Sequence, residues 1–437
     1  MGLRKSGPDP TQQEREVRAT SLEPSPNGTQ ARRPAGSRRH RRSFWVVAFA
    51  YFMVMALSTV PSPLYGLYQA RDHFSLFMIT VIFAVYAIGV IAGLLFAGHL
   101  SDLYGRRRLL LPALGITILS AVVFLASKSL AALLIARLLN GIAIGVVAST
   151  ATAYLAELDA VGRPQGSASK ATLTASAVNN GGLAAGALVA GFLAQWVADP
   201  LTVAYWVFLG ALVLGLIGVA LAPETREISS PMPRYRPQTL HVPPDARTRY
   251  FAATLSTFVA FAANGLFAAL AGLFLAVTLH HPSVALAGGV VGVMFGSGVA
   301  AQFLTARWSP IRTFEAGMVA MVLGVGLAVL AVWLKPASLG LFIAGGALIG
   351  AASGGIFRGA VATVMSISSP ERVAESLTGV FLSAYVGISL PVVGCGIMLA
   401  RHVSPKDTLL IFAIAVTIGI AVSAFELVVR SRTTVAT

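Results

Sequence analysis

Charged residues are scarce in this chain. Of its 437 residues only 11% are Asp, Glu, Lys or Arg, whereas 56% are hydrophobic. An ordinary soluble domain carries about 25% charged residues. A water-soluble protein of this length could not cover its surface with so few charges. The composition therefore excludes an ordinary soluble protein and predicts one whose surface faces lipid.

Cysteine is almost absent as well. The single cysteine, Cys395, lies within an apolar run. One cysteine excludes an internal disulfide and any cysteine-rich metal site. The sequence also has no His-Glu-x-x-His zinc motif, no nucleophile elbow and no membrane-embedded pair of aspartates. We therefore predict no cofactor, no metal and no enzymatic activity, although a membrane sensor or an intramembrane enzyme stays open as an alternative class.

Apolar segments of about 20 residues follow one another from residue 44, and each is long enough to cross a hydrocarbon core of ~30 Å. These runs predict an all-α polytopic membrane protein with twelve transmembrane helices. The predicted segments are 44–66, 76–98, 108–127, 130–155, 168–196, 202–222, 250–279, 284–306, 313–334, 338–366, 375–400 and 407–429.

The net charge is +15; ten of the 32 Lys and Arg residues precede residue 43, and the rest lie mostly in short stretches between the predicted segments. Alternating the segments from a cytoplasmic N-terminus places 25 of the 32 Lys and Arg residues inside, five outside and two, Arg137 and Arg358, in the membrane. This asymmetry predicts two cytoplasmic termini in a plasma (inner) membrane. It does not resemble the continuous basic face of a nucleic-acid-binding protein.

The hydrophilic stretches divide the chain into two halves. Gly141-Ile-Ala-Ile-Gly145 recurs as Gly350-Ala-Ala-Ser-Gly354, 209 residues later, which is what two parallel, pseudo-symmetric six-helix repeats would produce. The predicted divisions are a disordered basic cytoplasmic tail (1–42), an N-terminal half (43–223), a proline-rich cytoplasmic linker (224–249), a C-terminal half (250–430) and a C-terminal tail (431–437).

The stretch Gly98-His-Leu-Ser-Asp102-Leu-Tyr-Gly105-Arg106-Arg107-Arg108 joins the second and third segments. Gly105 permits a tight turn, and Asp102 can accept hydrogen bonds or pair with a cation. The stretch resembles the loop signature of the major facilitator superfamily in both its residues and its position. That resemblance implies a loop that latches the two halves together and releases them during transport, with Gly98, Asp102, Gly105, Arg106 and Arg107 as its residues.

Two shorter stretches are similar to other motifs of this family. Arg137-Leu-Leu-Asn140-Gly141 resembles its buried-arginine motif, which the proton-driven branches associate with proton coupling, and Asn140 stands where glutamine is commoner. Residues 223–226, Pro-Glu-Thr-Arg, resemble the ending of the sixth helix in drug-efflux members. The resemblance covers residues 44–430, but Ala187 replaces a proline that antiporters usually carry.

None of the 17 acidic residues falls in the middle of a predicted segment. Proton-driven transporters usually need an embedded group that gains and loses a proton. Coupling through one buried carboxylate is therefore not expected. Our hypothesis is that coupling, where present, uses Arg137 and Asn140 with Asp102 or Glu157.

Polar residues that can face a central cavity are few, which suits an amphipathic solute better than a sugar. The alternative is that they hold helices together. The candidates are Ser58, Asn140, Asn179, Asn180, Asn264, Arg358, Ser383 and Tyr385, beside Tyr51, Tyr86, Phe261 and Phe267.

The resemblance and the composition together favour a secondary active transporter that exports a small amphipathic solute or drug. It would work by rocker-switch alternating access with proton coupling. The alternative within the same fold is an importer or a facilitator of a sugar or an organic anion. The expected partners are the solute, the bilayer and protons, with no nucleic acid, and we expect a monomer.

Overall fold

A computed structural model describes residues 2, 35–97, 100–163, 168–226 and 239–433. Twelve helices in the described ranges are long and apolar enough to cross a membrane, and no strand occurs there. We number them spans 1 to 12. Their helical bounds are Ala35–Thr59 continued by Pro61–Asp72, Leu76–Ala97, Arg106–Ala126, Leu130–Gly162, Ala168–Trp196, Pro200–Leu221, Arg247–Leu273 continued by the π-helical turn Phe274–Thr278, Val284–Leu304, Pro310–Trp333, Leu339–Ile367, Val373–Ala400 and Pro405–Thr433.

The prediction of twelve membrane helices is confirmed in number and order. The bounds differ mainly in span 4, which continues to Gly162, and in span 1, which begins at Ala35. Residues 35–42 are therefore helical, whereas the sequence predicted a disordered tail up to residue 42. Extending an existing helix is easy because each added residue forms one hydrogen bond. The predictions for residues 1 and 3–34, and for 227–238 of the linker, lie outside the described residues.

The two halves repeat the same internal packing. In the N-terminal half a Cβ added to Gly141 of span 4 would collide with the backbone oxygen of Tyr86 in span 2. In the C-terminal half a Cβ added to Gly350 of span 10 would collide with the backbone oxygen of Met294 in span 8. The glycines that are 209 residues apart thus occupy equivalent helix crossings. This packing accounts for the sequence repeat and for the pseudo-symmetric arrangement of six plus six helices.

Large apolar side chains cover the outside of the bundle. Trp206, Leu214 and Leu221 of span 6 and Phe425 of span 12 are all exposed. Lipid tails are as apolar as these side chains, so the exposure costs nothing in a bilayer. The molecule is therefore a multi-pass membrane protein.

The two ends of the bundle differ in charge and in packing. We call the end that carries Arg106, Arg163 and Arg226 the basic end. At the other end the halves approach closely: a Cβ on Gly191 of span 5 would lie 2.9 Å from the Cα of Gly288 in span 8. Gln195 accepts hydrogen bonds there from the Ser283 hydroxyl at 3.0 Å and from the backbone N–H of Val284 at 3.1 Å. These contacts close the bundle at the end opposite to the basic end.

Candidate functional site

A buried arginine organises the loop between spans 2 and 3. The side chain of Arg106 is only 7% exposed. Its guanidinium donates to Asp102 Oδ1 at 2.6 Å, to Glu157 Oε1 at 2.9 to 3.0 Å and to the Ser101 hydroxyl at 2.7 Å. Two carboxylates on one guanidinium compensate the buried charge. The predicted residues Asp102, Arg106 and Glu157 therefore meet at the basic end, and Gly98 lies outside the described residues.

Glu224 caps the beginning of span 3. Its carboxylate accepts hydrogen bonds from the backbone N–H groups of Arg106 at 2.8 Å and Arg107 at 3.1 Å. The free N–H groups and the positive end of the helix dipole favour an anion at this position. Gly105 has a φ of 98°, and a Cβ there would lie 2.7 Å from Glu224 Oε2. Only glycine therefore suits the turn that brings Glu224 to the helix.

The segment after span 6 is tied to the same place. The Thr225 hydroxyl donates to Glu157 Oε2 at 2.5 Å, and Arg226 Nε donates to the backbone oxygen of Asp102 at 3.2 Å. Arg107 donates to the backbone oxygen of Ala222 at 2.9 Å. We define the latch cluster as Asp102, Arg106, Glu157, Glu224 and Thr225.

Glu224 and Thr225 belong to the latch cluster, but the sequence analysis did not name them as candidate site residues. The available signal was the motif Pro-Glu-Thr-Arg at 223–226, directly after a membrane segment. An acidic residue at this end of a membrane segment can bind the basic loop 106–108 at the same end of the protein. The sequence does not reveal which helix terminus it reaches.

Arg137 is a buried cation without a carboxylate among its recorded contacts. Its side chain is 1% exposed, and Nη1 donates to the backbone oxygen of Ser58 at 2.6 Å. The guanidinium lies 4.4 Å from the ring centroid of Tyr86 and 5.6 Å from that of Phe83. Aromatic faces attract cations and partly replace the lost hydration. Arg137 Nε and Nη2 and both amide atoms of Asn140 are buried without a hydrogen-bond partner.

In this conformation Arg137 lies far from Asp102 and Glu157, and the hypothesis that proton coupling uses Arg137 with one of them stays a prediction. Arg137 and Glu157 are 20 residues apart in one helix, which corresponds to about 30 Å along its axis. Both carboxylates bind Arg106 instead. Sequence reasoning grouped these residues by type and could not measure their depth in the bundle.

Several predicted cavity residues come together between the halves. The Asn179 amide of span 5 donates to the Tyr51 hydroxyl of span 1 at 2.7 Å. Tyr385 lies on span 11 of the other half, which packs against span 2, the helix that carries Tyr86. Asn180 and Ser58 donate to backbone oxygens of their own helices. We call Tyr51, Asn179, Tyr86 and Tyr385 the polar group.

Three phenylalanines form a chain on the C-terminal half. The ring centroids of Phe261 and Phe357 are 5.6 Å apart, and those of Phe357 and Phe381 are also 5.6 Å apart. They lie on spans 7, 10 and 11. The sequence analysis listed Phe261 but missed Phe357 and Phe381, because aromatic residues are common on every apolar helix. We call these three residues the aromatic group.

Other predicted cavity residues serve the helix packing. Asn264 accepts a hydrogen bond from the buried Ser353 hydroxyl at 3.1 Å, and Phe267 stacks on Phe342 at 5.0 Å. Arg358 donates to the backbone oxygens of Thr305 at 2.9 Å and Trp308 at 3.1 Å. These oxygens follow span 8, where the negative end of the helix dipole attracts a cation. The role of Arg358 in a central cavity therefore stays a prediction.

A model of one protein family matches most of the chain. The description of that family is Major Facilitator Superfamily, and the match covers residues 47–391. Solved structures with the same fold include a mutant of the nucleoside transporter NupG, with a TM-score of 0.69, 12% identity and coverage of 89% of this chain and 99% of that one. A bacterial homolog of the human lysosomal transporter Spinster, in an inward-facing and occupied conformation, has a TM-score of 0.65, 14% identity and coverage of 88% and 96%.

Two curated proteins match short stretches of the sequence. The arabinose-proton symporter of Bacillus subtilis (strain 168) is 35% identical over 89 residues, which are 20% of this chain and 19% of that protein. The glucose transporter GlcP of Staphylococcus epidermidis is 42% identical over 71 residues, 16% of each chain. The aligned stretches thus span less than a fifth of the length of these relatives.

Proposed function

Because this chain belongs to the Major Facilitator Superfamily and is a membrane transporter rather than an enzyme, we propose that it exports a small, uncharged, amphipathic solute by alternating access. The observation that carries this proposal is the hydrogen-bonded Tyr51–Asn179 pair of the N-terminal half, together with the packing of span 11, which carries Tyr385, against span 2. In alternating access, a site between the two halves opens first to one side of the membrane and then to the other, and residues of both halves bind the solute.

The solute class follows from the chemistry of the polar and aromatic groups. Tyrosine hydroxyls and an amide offer a few hydrogen bonds on the N-terminal half. The aromatic group offers ring faces on the C-terminal half. Arg358 already binds backbone oxygens, so it does not supply a charge for an anion here. A solute with one polar and one apolar face and no net charge suits this arrangement.

The two ends of the bundle supply the gates of the proposed cycle. The contacts of Gly191, Gln195 and Ser283 must separate when the end opposite to the basic end opens. We place the basic end in the cytoplasm of a plasma membrane because basic loops stay on that side. The latch cluster then controls the cytoplasmic gate. We further propose that one chain is sufficient for transport.

The proposed driving force is proton exchange. The acidic residues of the latch cluster are Asp102, Glu157 and Glu224. Protonating one of them would weaken its bond to Arg106 or to the start of span 3. In this scheme Arg137 and Asn140 provide a fixed positive and polar environment in the membrane and do not themselves carry the proton.

A second candidate function is uptake of a monosaccharide together with protons. It is supported by the identity of short stretches with an arabinose-proton symporter and a glucose transporter. The small number of hydrogen-bonding side chains in the polar group favours the first proposal, since a sugar presents many hydroxyl groups.

Cells that overexpress the protein can distinguish the two functions. We expect lower accumulation of the neutral amphipathic dye Nile red than in control cells, and a protonophore should abolish the difference. Tyr51→Phe removes the hydroxyl that accepts from Asn179 and should reduce export several-fold. Tyr205→Phe is the matched control, since it removes a hydroxyl that bonds Tyr68 within one half at 3.3 Å. Unchanged dye accumulation with faster uptake of labelled arabinose or glucose would replace the first function by the second.

A further inference from the structure

A cleft opens between spans 1, 4 and 5 at the basic end of the N-terminal half. It is a shallow cleft with a cavity volume of about 40 Å³, lined by Arg41, Phe44, Trp45, Leu158, Asp159, Arg163 and Lys170. None of these residues belongs to the latch cluster, the polar group or the aromatic group. We call it the N-half cleft.

The charges of this cleft do not balance. Three basic side chains and one carboxylate line it, and that carboxylate, Asp159, is already ion-paired with Arg163. Asp159 is buried, whereas Arg41 and Lys170 are exposed. The stem of Arg41 packs on Gly162, where a Cβ would lie 3.0 Å from Arg41 Cγ. The described residues of the cleft therefore carry a net charge of plus two. Its single negative charge, on Asp159, is buried and paired with Arg163.

The position of the cleft corresponds to the surface of the membrane. Arg41 and Trp45 lie near the beginning of span 1, Arg163 follows the end of span 4, and Lys170 lies near the beginning of span 5. Trp45 is 59% exposed beside the cleft. Tryptophan is enriched at the level of the lipid headgroups, where its ring is partly apolar and its N–H meets polar groups. A ligand in this cleft would thus meet the bilayer before it meets bulk water.

The C-terminal half has a cleft at the same end that differs in charge. It is lined by Trp308, Arg312, Glu315, Ala316 and Val319. Trp308 is 47% exposed, so both clefts have a tryptophan at the surface. One arginine and one glutamate make this C-half cleft neutral. It therefore provides an internal comparison for the effect of charge.

We propose that the N-half cleft binds the headgroup of an anionic phospholipid. Arg41 and Lys170 would donate hydrogen bonds to its phosphate, and Trp45 would pack against the glycerol and the first methylenes. A basic residue near an anionic membrane surface contributes about a fivefold gain in affinity. Two cations that have no ion pair with another described residue, beside an interfacial tryptophan, thus select an anionic lipid over a zwitterionic one. This inference depends on the membrane-spanning fold and not on the proposed solute or direction of transport.

Fluorescence quenching by brominated lipids tests the proposal. Two variants would each keep one tryptophan, Trp45 or Trp308, with the other four tryptophans changed to Phe. In phosphatidylcholine vesicles, brominated phosphatidylglycerol should quench Trp45 at a several-fold lower lipid fraction than brominated phosphatidylcholine. Trp308 should show no such preference. Arg41→Gln/Lys170→Gln should abolish the preference at Trp45, whereas Arg312→Gln should leave it unchanged.

Three results would overturn the proposal. Equal quenching of Trp45 by both lipids would mean that no anionic lipid is selected. An equal preference at Trp308 would mean that general surface charge attracts the lipid and not the cleft. A preference that survives Arg41→Gln/Lys170→Gln would mean that other residues bind the anionic lipid.

Where the tryptophan variants do not fold, native mass spectrometry of the otherwise unchanged protein replaces quenching. Phosphatidylglycerol retained equally with and without the double substitution would then contradict the proposal.

Discussion

At the scale of single residues, the charges of two buried arginines have different surroundings. Arg106 meets two carboxylates, Asp102 and Glu157, so its charge is neutralised. Among the described residues, Arg137 contacts the backbone oxygen of Ser58 and the ring faces of Tyr86 and Phe83. A buried cation that lacks a counter-charge is costly for stability. Arg106 therefore fits a role in holding a structure together, and Arg137 fits a role in transport.

Arg137→Met tests that distinction. Methionine keeps much of the apolar volume and removes the uncompensated charge, so we expect a thermal stability in detergent equal to or above that of the unchanged protein. Transport should fall at least tenfold. Arg106→Met is the comparison, because it removes the hydrogen bonds of the guanidinium to Asp102, Glu157 and Ser101 and should destabilise the protein by roughly 2 kcal/mol. Equal destabilisation by both substitutions would show that Arg137 is structural.

Glu224→Gln tests the cap of span 3. The amide keeps one acceptor oxygen but loses the negative charge that the helix N-terminus favours, and we expect a loss of about 1 kcal/mol in unfolding free energy. Glu315→Gln, at the basic end of span 9, is the matched control and should change stability by less than half as much. Thermal unfolding in detergent measures both. A control that is destabilised as strongly as Glu224→Gln would argue against a specific cap.

At the scale of elements, spans 5 and 8 form a gate between the halves. Small residues let their backbones approach, as between Gly191 and Gly288, and Gln195 accepts hydrogen bonds from the first residues of span 8. Close packing of small residues is a strong source of helix association in lipid. This contact is therefore both tight and dispensable in the other conformation of the cycle.

A disulfide between Gln195→Cys and Ser283→Cys should lock this gate. The two side chains are in hydrogen-bond contact, and the native Cys395 is buried and can be replaced by Ala. We expect oxidation to reduce transport at least tenfold and a thiol reductant to restore it. Each single cysteine variant, treated with the same oxidant, serves as a control. Full transport by the completely cross-linked protein would exclude a gate at these residues.

At the scale of the whole molecule, charge asymmetry sets the orientation that we propose. Alkaline phosphatase fused after Lys128 should be active, since that loop is expected outside. Green fluorescent protein fused after Thr437 should fluoresce, since the C-terminus is expected in the cytoplasm. Alkaline phosphatase fused after Arg226 should be inactive and green fluorescent protein fused after Lys128 should not fluoresce, which gives each reporter an opposite control. An active phosphatase at Arg226 with an inactive one at Lys128 would reverse the orientation of the gates.

Properties that depend on residues close together along the chain could be predicted from the sequence. Twelve membrane helices follow from segment length and hydropathy, because each helix satisfies its own backbone hydrogen bonds in lipid. The turn at Gly105 and the spaced glycines 141 and 350 also have local signals. Residue types alone likewise marked Arg106 and Arg137 as unusual.

Partners that are distant along the chain were decided by the tertiary structure alone. Glu224 reaches the start of span 3 across 118 positions, and Arg358 reaches a backbone oxygen 53 positions away. Arg137 and Glu157 share a helix but lie at different depths, so similar chemistry did not bring them together. The physical reason is that a charge in the membrane is compensated by whichever group packing places beside it, and sequence spacing encodes that neighbour only within a few turns of one helix.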